Sequence, residues 1–260
     1  MLNQSKTMRI WNILYPICIY FAVTTMVLYL LQLIVPETAD SKLFRQLLTS
    51  LAVFPFLYSF YHQDQEMRGK AISLKKWKEA KPSWAILAVT FVVGGCFALA
   101  WNNVLGILRI SEYSASYAQV QDTFYTGRML LEITALCIVI PFVEELLYRG
   151  IVYGRLKDWL GVWYAVFISA VIFGLIHMNL VQFIYAAVFG LLLAYFREAA
   201  GNLLGAVTAH MAANLTSVLR AETSLFAFMD ANDVNLVVMT IALFGAAASG
   251  VCWLMQRSRK

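Results

Sequence analysis

Long apolar segments alternate with short polar stretches along the whole chain. A helix needs ~20 mostly apolar residues to cross the ~30 Å hydrocarbon core of a bilayer, and about eight segments meet that length. They cover approximately 11–35, 43–61, 84–110, 128–153, 162–178, 180–197, 202–220 and 235–256. The strands of a membrane barrel would be shorter and would alternate apolar with polar residues. The pattern therefore predicts an all-α, polytopic membrane protein with about eight transmembrane helices.

Composition leaves no room for a soluble domain. Hydrophobic residues make up 61% of the 260 residues and charged residues 13%, whereas an ordinary soluble domain has about 25% charged residues. The first apolar segment is longer than the ~7–15 residues of a signal-peptide core, so we expect it to be a retained helix. The four cysteines all lie in apolar segments without CxxC spacing, which argues against a disulfide framework and a thiolate metal site.

Basic residues are distributed unevenly between the two ends of the predicted helices. One loop between apolar segments carries Arg68, Lys70, Lys75, Lys76, Lys78 and Lys81, and the positive-inside rule makes that loop cytoplasmic. Alternation from there predicts a cell-membrane protein with both termini in the cytoplasm. All but five of the 20 basic residues then lie inside, the exceptions being Lys42, Arg45, Arg109, Arg128 and Arg220. The net charge of +5 is thus a topology signal that can contact anionic lipid, and we expect no nucleic-acid partner.

The chain also divides by where its polar residues fall. Residues 1–126 have no acidic residue or histidine deep within a predicted span, whereas residues 127–220 contain nearly all the intramembrane polar groups. We therefore interpret 1–126 as N-terminal scaffold helices, 127–220 as a four-helix working bundle, and 221–260 as a C-terminal transmembrane helix with a basic tail.

The stretch VEELLYRG places Glu144, Glu145 and Arg149 in an apolar segment. Residues four apart share a helix face, so Glu145 and Arg149 are predicted to form an ion pair, while Glu144 points ~100° away and has Tyr148 as its neighbour. A charge at the bilayer centre costs ~3 kcal/mol or more, so these side chains should face the protein interior. The alternative is a cytoplasmic helix end whose charged side chains reach the lipid headgroups.

Two later segments add histidines. FGLIH puts Phe173 and His177 on one helix face, and HMAAN puts His210 and Asn214 on another. A single intramembrane histidine can simply be a packed residue bonded to a nearby carbonyl. Polar groups in lipid must find partners, however, and groups on several neighbouring helices can satisfy one another by converging. We therefore predict one polar cavity shared by Glu144, His177, His210 and Asn214.

The motif order EExxxR, FxxxH, HxxxN resembles the CAAX protease and bacteriocin-processing family (CPBP, or Abi), which includes the type II CAAX prenyl endopeptidases. The resemblance covers about residues 127–220 through EELLYR, FGLIH and HMAAN. It implies an intramembrane glutamate endopeptidase that cleaves a membrane-anchored peptide or protein. By this resemblance Glu144 is the general base, His177 shares or orients the water, and His210 and Asn214 donate to the oxyanion. The remaining motif residues would support them: Glu145, Arg149, Tyr148 and Phe173.

Three alternatives stay open. A zinc enzyme could use Glu144, His177 and His210 as ligands. No HExxH motif is present, however, and Asn214 would have no role, so we expect no metal and no cofactor. A transporter or proton channel could use the same polar groups as a relay, but the inverted repeat and broken helix pairs of such proteins are missing. An immunity or scaffold protein could keep the fold without hydrolysis, although the motifs are intact. A serine or cysteine protease lacks its motif altogether.

One geometric difficulty concerns the depth of the predicted site. On straight, upright helices Glu144 and His177 would lie at different depths in the membrane. Pro141 lies three residues before Glu144, and proline is a common cause of helix kinks. We therefore expect the helix to bend or extend there.

Overall fold

The computed structural model describes residues 5–38, 41–69, 83–110, 114–125 and 128–257. These parts of the chain are helical and contain no strand. The helices are α1 (Lys6–Ile34), α2 (Ser41–Met67), α3 (Trp84–Ile107), α4 (Ala115–Phe124), α5 (129–160), α6 (Val162–Leu175), α7 (Leu180–Ala200), α8 (Leu204–Glu222) and α9 (Asp233–Arg257). By length and composition α1, α2, α3, α7 and α9 are able to cross a membrane, and α6 is a shorter apolar helix. The predicted all-α polytopic fold of an integral membrane protein is confirmed.

Every predicted apolar segment coincides with a helix, but one helix was not predicted and some helices extend beyond the predicted bounds, such as α5, which ends at Leu160 instead of near residue 153. Helix α4 was not predicted, because its sequence ASYAQVQDTF has no apolar run. Helix α2 continues to Met67 instead of ending near residue 61. Most of the predicted cytoplasmic loop, residues 70–82, lies outside the described residues.

Helix α5 changes its winding around Pro141. It consists of Met129–Glu132, the π-helical Ile133–Val139, Ile140–Glu145, the π-helical Leu146–Val152 and Tyr153–Leu160. The Ile140 N–H bonds five residues back to the carbonyl of Ala135, and Pro141 has no N–H to donate. The Leu136 carbonyl therefore loses both the α-helical and the π-helical partner that it would otherwise have. Such π segments inside α-helices often occur at functional sites.

The core surrounds α5 and depends on close helix approaches. Gly94 of α3 lies so near α8 that a Cβ there would be 2.2 Å from the Ala209 carbonyl oxygen. Gly190 of α7 also lies close to α6, where a Cβ would meet the Ala170 Cα at 3.0 Å. The scaffold helix α3 thus packs directly against the working bundle. The domain division at residues 126 and 220 remains a prediction.

A buried ion pair joins α2 to α5 at the end of α5, and the sequence interpretation missed it. Asp64 is fully buried, and Arg155 binds both its oxygens, with Nε at 2.8 Å and Nη2 at 3.0 Å. Arg155 also donates to the Asn12 carbonyl and to the Tyr15 hydroxyl of α1. The predicted span ended near residue 61, so the sequence interpretation placed Asp64 in a loop beyond it and gave no sign of its burial.

Candidate active site

A cavity of about 220 Å³ lies between α2, α3, α5, α7 and α8. Glu144, His177, His210 and Asn214 all border it, so the structure brings the four side chains together as predicted. Their chemical roles remain predictions. The other lining residues are Gln46, Asn102, Leu105, Phe124, Tyr125, Leu136, Ile140, Phe173, Val181, Gln182, Tyr185, Ala186, Phe189, Ser217 and Val218.

Glu144 supplies the only carboxylate among the described lining residues. Its side chain is 14% exposed, and Oε2 lies 3.8 Å from His210 Nε2. A carboxylate held largely out of water, with an imidazole nearby, has both the basicity and the position to take a proton from a bound water molecule.

Glu145 and Arg149 form the predicted ion pair behind the cavity. Arg149 Nη1 donates to Glu145 Oε1 at 3.0 Å, and both side chains are completely buried. Arg149 also donates to the Gly190 carbonyl at 3.3 Å, and its guanidinium lies 4.2 Å from the centre of the Phe173 ring. A Cβ at Gly190 would lie 3.0 Å from Arg149 Nη2, so glycine makes room for the guanidinium. The lipid-headgroup alternative is therefore wrong for Glu145 and Arg149.

His210 bridges the two glutamates. Its Nδ1 donates to Glu145 Oε1 at 2.9 Å, and its Nε2 faces Glu144. Phe173 and Phe189 pack edge-to-face against the imidazole ring, with centroid distances of 5.7 and 5.9 Å. These contacts fix the orientation of the ring. Because Nδ1 carries a proton, Nε2 can donate only when the ring is an imidazolium.

His177 offers the cavity a hydrogen-bond acceptor, in contrast to the donor that the His210 imidazolium offers. Its Nδ1 lies 3.0 Å from the Phe173 carbonyl oxygen, which can only accept, so Nδ1 carries the proton and Nε2 of the neutral ring is an acceptor. The residue follows the short helix α6 in the turn before α7. The predicted difference in depth between His177 and Glu144 does not prevent their meeting, because the cavity extends from that turn to the middle of α5.

Asn214 is positioned by the Leu136 carbonyl, which has no N–H partner in α5 because of Pro141. Its Nδ2 donates to the Leu136 oxygen at 2.7 Å, and that oxygen has no partner within α5. This bond uses one of the two amide hydrogens, which leaves the other for a group in the cavity. The proline near the glutamates thus positions Asn214 through α5, a connection that the motif spacing does not reveal.

The supporting aromatics occupy different positions. Phe173 lines the cavity, whereas Tyr148 is buried behind it with its ring 5.3 Å from Phe173. The sequence interpretation missed a set of neutral polar and aromatic lining residues, because each is an isolated residue near a helix end: Gln46, Asn102, Gln182, Tyr185 and Ser217.

The arrangement of these side chains also bears on metal binding. Among the residues that the structure describes, no three His, Cys, Asp or Glu side chains are arranged to hold a metal ion. His210 uses Nδ1 on Glu145, and His177 uses Nδ1 on a backbone carbonyl. All four cysteines are free.

Comparison with known proteins points to membrane peptidases. The family described as type II CAAX prenyl endopeptidase Rce1-like matches residues 126–216. A Bacillus subtilis (strain 168) protein named "Putative membrane peptidase YdiL" is 21% identical over 164 residues. That alignment covers 61% of this chain and 66% of the relative, just under two thirds of its length. No solved structure matches the chain. Over residues 126–216 the chain is thus similar to the type II CAAX prenyl endopeptidase-like family, and the two comparisons together support a membrane-embedded peptidase.

Proposed function

We propose that the protein is an intramembrane endopeptidase of the cell membrane, with both termini in the cytoplasm. Its substrate is a membrane-anchored peptide or protein, such as a prenylated tail or a leader peptide. The observation that carries the proposal is the meeting of Glu144 with His177, His210 and Asn214 around one cavity. The family match and the name of the B. subtilis relative support the same reaction class.

Hydrolysis begins with a water molecule between Glu144 and His177. The carboxylate of Glu144 takes one proton from the water, while His177 Nε2 accepts a hydrogen bond from it and fixes its direction. The oxygen attacks the carbonyl carbon of the peptide, and the carbonyl oxygen becomes an oxyanion. General-base assistance of this kind contributes about 10²–10⁴-fold to a rate.

The oxyanion is stabilised by Asn214 and His210, which border the same cavity. The second amide N–H of Asn214 and the Nε2–H of the His210 imidazolium donate to it. The proton on Glu144 then passes to the peptide nitrogen, the C–N bond breaks, and a carboxylic acid and an amine leave. Glu145 holds the ring of His210 in place through Nδ1, and Arg149 holds Glu145.

The direct test uses purified protein in detergent with farnesylated, acylated and leader-type peptides. We expect mass spectrometry to detect a new carboxyl terminus in one of these classes. Activity should survive prolonged treatment with strong chelators, and elemental analysis should find less than one zinc per chain. Activity that is lost to a chelator and restored by metal, together with stoichiometric zinc, would contradict the glutamate mechanism and favour the zinc alternative.

Asn214→Ala tests the oxyanion role. Removing one such donor costs ~10²–10³-fold in turnover, so kcat should fall by about that factor while KM changes little. Asn235→Ala is the matched control, because its Nδ2 also donates to a carbonyl, that of Phe228, but outside the cavity. Normal kcat in the Asn214 variant would remove this residue from the mechanism.

A further inference from the structure

The lining of the cavity comes from one end of the helix bundle. Its residues lie near the start of α2, the end of α3, the end of α4, the first half of α5, the start of α7 and the second half of α8. These ends meet in space, because Asn102 of α3 donates to Ser217 of α8 at 3.1 Å. Asn179, just before α7, likewise donates to Ser116 of α4 at 2.7 Å. We call this the cavity end of the molecule.

The opposite end of the helix bundle is closely packed, and we call it the sealed end. The segment of α5 beyond the glutamates, from Leu146 to Leu156, is buried. Beyond it Arg155 is tied to Asp64 of α2 and to the Asn12 carbonyl and Tyr15 of α1. Lys157 of α5 also pairs with Glu198 at the end of α7 at 2.6 Å. Packed side chains therefore separate Glu144 from the described residues at this sealed end.

Basic residues distinguish the two ends. The described residues at the sealed end include Lys6, Arg9, Arg68, Arg155, Lys157, Arg197 and Arg257. The sequence between α2 and α3, which are joined at that end, adds Lys70, Lys75, Lys76, Lys78 and Lys81. The cavity end has only Lys42, Arg45, Arg109, Arg128 and Arg220 in the described residues. Lysine and arginine near membrane-spanning segments accumulate on the cytoplasmic side, so the sealed end is cytoplasmic.

We propose that the cavity opens toward the extracytoplasmic side and that the substrates are membrane-anchored peptides cleaved on that side. The statement about substrates rests on the proposed peptidase function. The direction in which the cavity opens follows from the fold and the charge distribution alone.

The cavity wall also indicates which part of a peptide it receives. Gln46, Gln182 and the part of the Asn102 amide that Ser217 does not occupy present neutral donors and acceptors, which suit the N–H and C=O groups of an extended peptide backbone. The described lining includes no lysine or arginine, which a free C-terminal carboxylate would need for pairing. An internal segment of a chain, outside the membrane and close to its anchor, fits this wall.

Cysteine labelling in intact cells tests the opening without any measurement of hydrolysis. In a background with Cys18, Cys96, Cys137 and Cys252 replaced by alanine, single cysteines are placed at Gln182 and Lys157. A membrane-impermeant maleimide should label Gln182→Cys in intact cells and Lys157→Cys only after permeabilisation. Met178→Cys, whose parent side chain is 91% exposed beside the cavity, reports the orientation separately and should be labelled like Gln182→Cys.

The opposite pattern, with Lys157→Cys labelled in intact cells, would overturn the proposal. So would labelling of Met178→Cys without Gln182→Cys, since the cavity would then be closed on that side. Substrate access is tested with a soluble lipopeptide that the purified protein cleaves, added to spheroplasts and to sealed inverted vesicles. Cleavage should occur with spheroplasts and be lost with inverted vesicles. If no peptide is cleaved in detergent, the proposed function fails, whereas the labelling result still decides the direction of the opening.

Discussion

Glu144→Gln is expected to abolish peptide hydrolysis while leaving the fold intact. Glutamine keeps the shape of the side chain but cannot accept the proton of the attacking water, so the rate should fall by at least the ~10²–10⁴-fold that a general base contributes. The side chain is 14% exposed and has no ion-pair contact shorter than 3.8 Å, so a neutral amide should fit without loss of packing. The measurement is kcat on the peptide that the wild-type protein cleaves, together with the melting temperature in detergent.

Two further variants sharpen this test. Glu144→Asp retains the carboxylate but withdraws it by one methylene, so partial activity is expected. Glu66→Gln is the matched control, since Glu66 lies at the exposed end of α2 beside His62 and should give wild-type rates. If Glu144→Gln retained substantial activity, the base would be another group and the proposed mechanism would be wrong.

Arg149→Ala is expected to reduce the amount of folded protein. The change leaves Glu145 buried with only His210 as a polar partner and also removes the donor to the Gly190 carbonyl. Breaking a buried ion pair by removing one partner typically costs ~3–5 kcal/mol, which is a large part of the ~5–15 kcal/mol that stabilises a typical protein. Expression level, monodispersity in detergent and melting temperature would report this loss.

Lys157→Ala provides the control, because Lys157 also pairs with a glutamate, Glu198, but with 38% and 31% of the two side chains exposed. Exposed pairs contribute about 0–1 kcal/mol, so this variant should melt near the wild-type temperature. Arg149→Lys should fall between the two, since an ammonium keeps the charge but cannot reproduce the guanidinium's separate contacts with Glu145 and Gly190. An Arg149→Ala protein with wild-type yield and melting temperature would contradict the buried geometry.

Apolar periodicity was sufficient to predict the helices, because a chain in lipid must satisfy its backbone within each segment. It therefore located every apolar helix, although not α4, whose polar sequence gives no such signal. The same reasoning extended to the site. Polar side chains that cannot be left facing lipid must meet, and this predicted both the Glu145–Arg149 pair and the convergence of Glu144 with the two histidines and Asn214.

Only the tertiary structure decided how those groups are connected. The sequence assigned His210 to the oxyanion alone, whereas the folded chain places it between Glu144 and Glu145, and which nitrogen faces the cavity depends on that contact. The bond from Asn214 to Leu136 depends on a carbonyl freed by Pro141 on another helix. The burial of Asp64 depends on Arg155, which lies far from it in sequence. Local pattern specifies each helix and its polar face, but the pairing of atoms between helices depends on their rotation and relative height, which are set by packing across the whole bundle.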